Sequence, residues 1–110
     1  MNTTSNTAEI ESNTMSIAKT IISQIKYGDR AALMAWGAIN FVALEETKEF
    51  QGGVRFKVNG LKFKGYVQVQ LRWVDDYTIS FLSKTGEVKK QVEGAYCDML
   101  VDVIDWIEGR

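Results

Sequence analysis

The chain has 110 residues, enough for one small domain with a two-layer core. Its apolar fraction of 45 % is that of a globular protein, and nine glycines without any proline exclude a collagenous, proline-rich or low-complexity chain. With one cysteine and no histidine, the chain cannot form an intramolecular disulfide, assemble the usual zinc or haem ligand sets, or use a histidine base.

The sequence also bounds the compartment. No apolar run approaches the roughly 20 residues of a membrane span, and the first residues lack the basic and apolar regions of a signal peptide. We therefore expect a cytoplasmic protein with no membrane partner and no cofactor.

The N-terminal third is predicted to be a tail followed by two helices. Residues 1–14 are rich in Asn, Thr and Ser, which favours a disordered tail before a single domain over residues 15–110. From Ser16 onward, Ile17, Ile21 and Ile25 recur every four residues, as on the buried face of a helix. Gly28 interrupts this pattern, and Asp29 can cap a short second helix.

Strands are predicted next. A short strand covers Ile39–Leu44, and two alternating runs, Gly53–Val58 and Leu61–Trp73, flank Asn59-Gly60, a strong hairpin signal. Two further strands cover Tyr77–Phe81 and Val88–Val92.

The hairpin has a specific predicted register. A two-residue turn with positive φ at Gly60 sets Lys57 opposite Lys62 and Arg55 opposite Lys64. Opposed like charges cost some tenths of a kcal/mol per pair. The sequence therefore either keeps them for an anionic partner or tolerates them.

An amphipathic helix is predicted over residues 95–108. Its buried stripe is Tyr96, Met99, Leu100, Val103 and Ile107. One face of the predicted sheet is apolar and includes Trp73, and both terminal helices carry apolar stripes. The predicted class is therefore α+β. It consists of a four- to five-stranded antiparallel sheet with the N-terminal and C-terminal helices packed on one face.

The other sheet face is the candidate binding surface. It carries cations, amides and one stacking aromatic, a combination found on nucleic-acid platforms. Its candidate binding residues are Arg55, Lys57, Lys62, Lys64, Tyr66, Gln68, Gln70 and Arg72. A solvated face, a nucleic-acid surface and a surface for an acidic protein all fit this pattern.

A second charged surface lies near the C-terminus. Asp98, Asp102 and Asp105 share one helical face and offer either solubility or a contact for a basic partner. Cys97 has no histidine to pair with and is interpreted as a bystander.

Much of the chain resembles a group of small proteins carried by bacteriophages and other mobile elements. The resemblance covers residues 17–107 and is carried by the segments TIISQIKYGDRAALMAWGAINFVAL, VRFKVNGLKFKGYVQVQL, DDYTISFLS and EGAYCDMLVDVIDWI. It implies a phage or mobile-element origin, a location in the host cytoplasm, and an accessory role in replication or against host defence. No site residue is carried over from it.

These observations lead to a functional hypothesis. We expect a small non-enzymatic binding protein whose cationic sheet face binds an anionic partner, nucleic acid first. The alternative is an inhibitor or regulator that binds a host protein complex.

Overall fold

The computed structural model describes residues 2–109, with side chains from residue 14 onward. Helix α1 spans Asn2–Gly28, and the short helix α2 spans Ala32–Ala35. Five strands follow: β1 (Ile39–Leu44), β2 (Phe50–Asn59), β3 (Lys64–Arg72), β4 (Tyr77–Leu82) and β5 (Val88–Ala95). The C-terminal segment comprises a 3₁₀ turn at Cys97–Met99, helix α3 at Leu100–Ile104 and a second 3₁₀ turn at Asp105–Glu108.

The strands form one antiparallel sheet in the order β1-β2-β3-β4-β5. Consecutive strands are therefore neighbours, as short connections favour. The predicted α+β class with an antiparallel sheet is confirmed.

One face of the sheet is covered by the terminal segments. A single hydrophobic cluster joins Ile21 and Ile25 of α1, the apolar residues of β2 to β4, and Leu100, Ile104 and Ile107 of the C-terminal segment. Helix α1 lies over β1 and β2. We call this the helix-covered face and the opposite side the open face.

The predicted disordered tail covers residues 1–14, and residue 14 is the only one of these whose side chain the structure describes. The backbone of residues 2–14 belongs to α1. The disordered tail, and with it the domain boundary at residue 15, stays a prediction.

The predicted hairpin turn is wrong. The loop between β2 and β3 contains four residues, 60–63, and Asn59 pairs with Lys64. The backbone N–H groups of Lys62 and Phe63 both donate to the Ile107 carbonyl, at 2.7 and 3.1 Å. Gly60 has no positive φ, but a Cβ there would lie 2.5 Å from the Ile107 oxygen. This glycine permits docking of the C-terminal segment rather than a tight turn.

The predicted C-terminal helix is only partly correct. Leu100 and Ile107 are buried as expected, but Ile104 replaces Val103 in the core, and Tyr96 and Met99 are exposed. The Ile107 carbonyl accepts bonds from the hairpin loop. Those bonds accompany the tightening of the last residues into a 3₁₀ turn.

Trp73 does not belong to the apolar face. Strand β3 ends at Arg72, and the chain turns where Asp75 adopts a φ of 69°. Trp73 therefore leaves the sheet and is half exposed, with its indole N–H 3.4 Å from the Thr47 carbonyl.

Candidate anionic-ligand interface

The open face is built by the alternation of side chains along β2, β3 and β4. Arg55, Gln68 and Ser80 form one row across the three strands, and Lys57, Tyr66 and Leu82 form the next. Directly paired residues point to the same side of a sheet. Cations and the tyrosine therefore share this face, as the sequence predicts.

The opposed cation pairs do not exist. Lys57 lies opposite Tyr66 rather than Lys62, and Arg55 lies opposite Gln68 rather than Lys64. The turn comprises residues 60–63 rather than Asn59-Gly60, so each of these β2 residues pairs with a residue four positions beyond its predicted partner. Because four is an even number, the shift keeps the side chains of the two paired strands on their predicted faces.

Lys62 is separate from the open face. Its Nζ lies 4.8 Å from the centre of the Trp106 ring, and the Lys90 Nζ lies 5.3 Å from the same ring. Trp106 in turn packs on Phe63 and Phe81 in the hydrophobic core. Lys62 thus contributes a cation–π contact on the helix-covered side.

Arg72 lies on the open face but is already paired. Its guanidinium donates two hydrogen bonds to the Asp76 carboxylate, Nε to Oδ1 at 2.6 Å and Nη2 to Oδ2 at 3.1 Å. These bonds hold the pKa of Asp76 below its ordinary value and raise that of Arg72. The Gln51 amide donates to the Arg72 carbonyl and to the Asp75 carboxylate. We call this group, Arg72, Asp76, Gln51 and Asp75, the paired end.

The middle of the open face is polar and neutral. The Gln68 amide donates to the Gln70 side-chain carbonyl at 3.1 Å. Thr78 and Ser80 on β4 are buried between their neighbours. These side chains offer hydrogen-bonding groups but no charge.

A cationic concavity occupies the other end of the face. Arg55 Cζ lies 5.6 Å from the centre of the Tyr66 ring. These two residues line a cavity of about 230 Å³ together with Leu82 and the β4–β5 turn, which supplies Lys84, Thr85 and Gly86. Lys57 lies directly opposite Tyr66, and Lys64 pairs with Asn59 at the hairpin tip. We call Arg55, Lys57, Lys64, Tyr66 and Lys84 the cationic end.

The charge of the cationic end is unbalanced. Among the side chains of residues 14–109, the ion pairs are Arg72–Asp76 and Lys89–Glu87, so none involves a cation of this end. Its residues offer positive charge and a ring for stacking. They include no carboxylate, thiol or imidazole that could act as a general base.

Sequence reasoning missed Lys84. The residue lies in a turn, and the alternation that assigns strand residues to a face does not extend into turns. The sequence did place Lys84 directly before Thr85-Gly86, the predicted turn between two strands of the sheet. That position was the available sign that Lys84 lies at the end of the sheet.

The acidic surface is smaller than predicted. Asp105 accepts a hydrogen bond from the Trp36 indole N–H at 2.8 Å and thereby anchors the C-terminal segment to the buried Trp36. Asp98 and Asp102 are exposed, as is the free Cys97. In the described part of the chain, no three acidic or cysteine side chains cluster as a metal site requires.

The chain matches no family model, no curated protein and no solved structure. The resemblance to small phage proteins therefore stays a hypothesis. Among the described helices, none is long and apolar enough to cross a membrane.

Proposed function

We propose that this protein binds single-stranded nucleic acid through the cationic end of its open sheet face, and that it acts as a binding protein rather than an enzyme. The observation that carries the proposal is the contact of Arg55 with the Tyr66 ring, flanked by Lys57 and Lys84. This combination supplies the two contacts that single strands need, cations for phosphates and a ring for bases.

The geometry favours a single strand over a duplex. Tyr66 is the one aromatic of the cationic end, and it can stack only on a base whose face is free. A duplex keeps its bases stacked inside and presents mainly phosphates. We therefore expect duplex DNA to bind through charge alone and more weakly.

Binding is tested by fluorescence anisotropy with labelled single-stranded DNA, single-stranded RNA and duplex DNA at several salt concentrations. Single strands should bind most tightly, and log affinity should fall linearly with log salt, by about 0.7 for each phosphate contact. Lys84→Gln should reduce that slope by one contact. Lys90→Gln is the matched control, because it removes a lysine charge from β5, near Trp106 and away from the cationic end. It should not change the slope.

The stacking contact has its own test. Tyr66→Leu should weaken single-strand binding by about 1–3 kcal/mol, the usual value of one base–aromatic stack, whereas Tyr66→Phe should retain it. Equal effects of Lys84→Gln and Lys90→Gln, or full affinity in Tyr66→Leu, would show that binding is diffuse electrostatic attraction.

A second candidate is a regulator that binds a basic surface of a host protein complex. Its support is the exposed patch that combines Tyr96 and Met99 with Asp98 and Asp102. Affinity purification from the carrier cell with nuclease treatment separates the two candidates. A partner that survives nuclease and is lost in Tyr96→Ala, but not in Lys84→Gln, would support the regulator.

A further inference from the structure

The two edges of the sheet differ in how they are protected. β5 is one edge; it carries Lys89, Lys90 and Glu93, and its pairing with β4 is irregular at two places. Charges and irregular pairing are the usual means of preventing edge-to-edge association. β1 is the other edge; its pairing with β2 is also irregular, between Ile39 and Val42, but it contains no charged residue and no proline, so the two edges differ in their protection by charge.

Apart from Asn40, the exposed side chains of β1 are apolar. Ile39, Phe41 and Val42 are all exposed. Phe41 additionally lines an apolar groove of about 330 Å³ formed with α1, α2 and the start of β1, whose lining includes Ile22, Leu33 and Met34. A neutral edge strand beside an apolar groove is a template for the addition of another strand.

The charges beside β1 specify which strand fits. Ile39, at the start of β1, pairs with Lys57, whereas Leu44, at its end, is followed by the exposed Glu45 and Glu46. An antiparallel arrangement of two copies places the start of each β1 beside the end of the other. About 10 Å, two strand spacings, then separates the backbone of Lys57 in one copy from that of Leu44 in its partner, which Glu45 and Glu46 follow directly. A lysine and a glutamate side chain together span that distance.

We propose that two copies of this chain associate through their β1 strands, antiparallel and around a two-fold axis, to form one continuous sheet. The pairing is isologous, so each contact occurs twice. It places both open faces on the same side, with Arg55 and Lys57 of each copy next to the junction. The inference does not depend on the proposed function, since it rests on β1 and its flanking charges.

The test is sedimentation velocity of the full chain over a concentration series without nucleic acid. The wild-type protein should shift from the mass of one chain to that of two. Val42→Glu should keep the monomer mass, because two carboxylates would meet at the junction. Within one chain the new carboxylate lies opposite Arg55, which offers it an opposite charge. The substitution should therefore not destabilise the monomer. Val88→Glu is the matched control on the β5 edge and should dimerise like wild type.

A charge exchange tests the orientation. Glu45→Lys with Glu46→Lys, in an exposed connection that the core does not need, should weaken dimerisation about tenfold. Adding Lys57→Glu should restore it, because the two charges have exchanged places. A wild-type protein that stays monomeric throughout, equal effects of Val42→Glu and Val88→Glu, or no rescue by Lys57→Glu would each overturn the proposal.

Discussion

The cationic end and the paired end of the open face each contain an arginine, but they differ in what holds its guanidinium. Both place an arginine on a central strand, Arg55 on β2 and Arg72 on β3. Arg72 is held by the Asp76 carboxylate, whereas Arg55 lies against the Tyr66 ring without an acid. A cation on a sheet face is thus available to a ligand only where the neighbouring turn supplies no carboxylate.

The largest expected effect comes from the loop that positions the cationic end. Gly60→Val places a branched side chain against the Ile107 carbonyl, at a position where even a Cβ would be 2.5 Å from the oxygen. The free energy of unfolding should fall by about 1–3 kcal/mol, as for other overpacked sites. Chemical denaturation measures this change.

Leu61→Ala is the control for that loop. Leu61 is 87 % exposed, so its truncation should change stability by less than about 0.5 kcal/mol. Equal stability of Gly60→Val and wild type would show that the loop does not dock on the C-terminal segment.

The same substitution at the two ends gives the sharpest contrast. Arg55→Gln should lower the salt dependence of single-strand binding by one contact, about 0.7 in the log–log slope, and leave the melting temperature nearly unchanged. Arg72→Gln should leave the salt slope unchanged and lower the melting temperature. The reason is that it leaves the Asp76 carboxylate, which is largely buried, without its partner. The comparison fails if Arg72→Gln reduces the salt slope as much as Arg55→Gln.

A smaller effect concerns pH. Hydrogen bonds from Arg72 lower the pKa of folded Asp76 below the ordinary value of 3.8. The pair therefore stabilises the protein above that value, and this contribution is lost as the pH falls through the lowered pKa. Acid unfolding of Asp76→Asn should lack this component. An unchanged acid transition in the variant would contradict the role given to the pair.

Ligand binding should respond to pH differently. The cationic end contains arginine, lysine and tyrosine, and the sequence has no histidine. Affinity for single strands should therefore stay constant between about pH 5 and 8. Titrations at three pH values within this interval check the prediction, and a marked change would point to a titrating group in the site.

The alternation of side chains predicted most of the open face from the sequence. Its period of two assigned Arg55, Lys57, Tyr66 and Gln68 to the correct side, and that assignment survived a register error of four residues, because four is an even number. The register itself was not predictable, because it depends on hydrogen bonds between residues 62–63 and Ile107, far apart in the chain.

Pairing between side chains was the part that the sequence could not supply. Strand alternation does not distinguish Arg72 from Arg55, since both alternate with apolar residues, and the presence of Asp75 and Asp76 after Arg72 does not by itself show that a carboxylate reaches the guanidinium. The carboxylate of Asp76 reaches Arg72 only because the turn with Asp75 at positive φ brings it back over β3. Lys84 escaped prediction for a related reason, because turn geometry decides where it points.

The docking of the hairpin loop on Ile107 also governs how the chain can fold during synthesis. The first four strands are complete at residue 82, yet the carbonyl that fixes the hairpin tip belongs to Ile107. Until Ile107 has been synthesised, the amide groups of Lys62 and Phe63 lack this partner. Fixing the hairpin tip therefore follows synthesis of the first four strands and joins distant parts of the chain, a topology that slows folding.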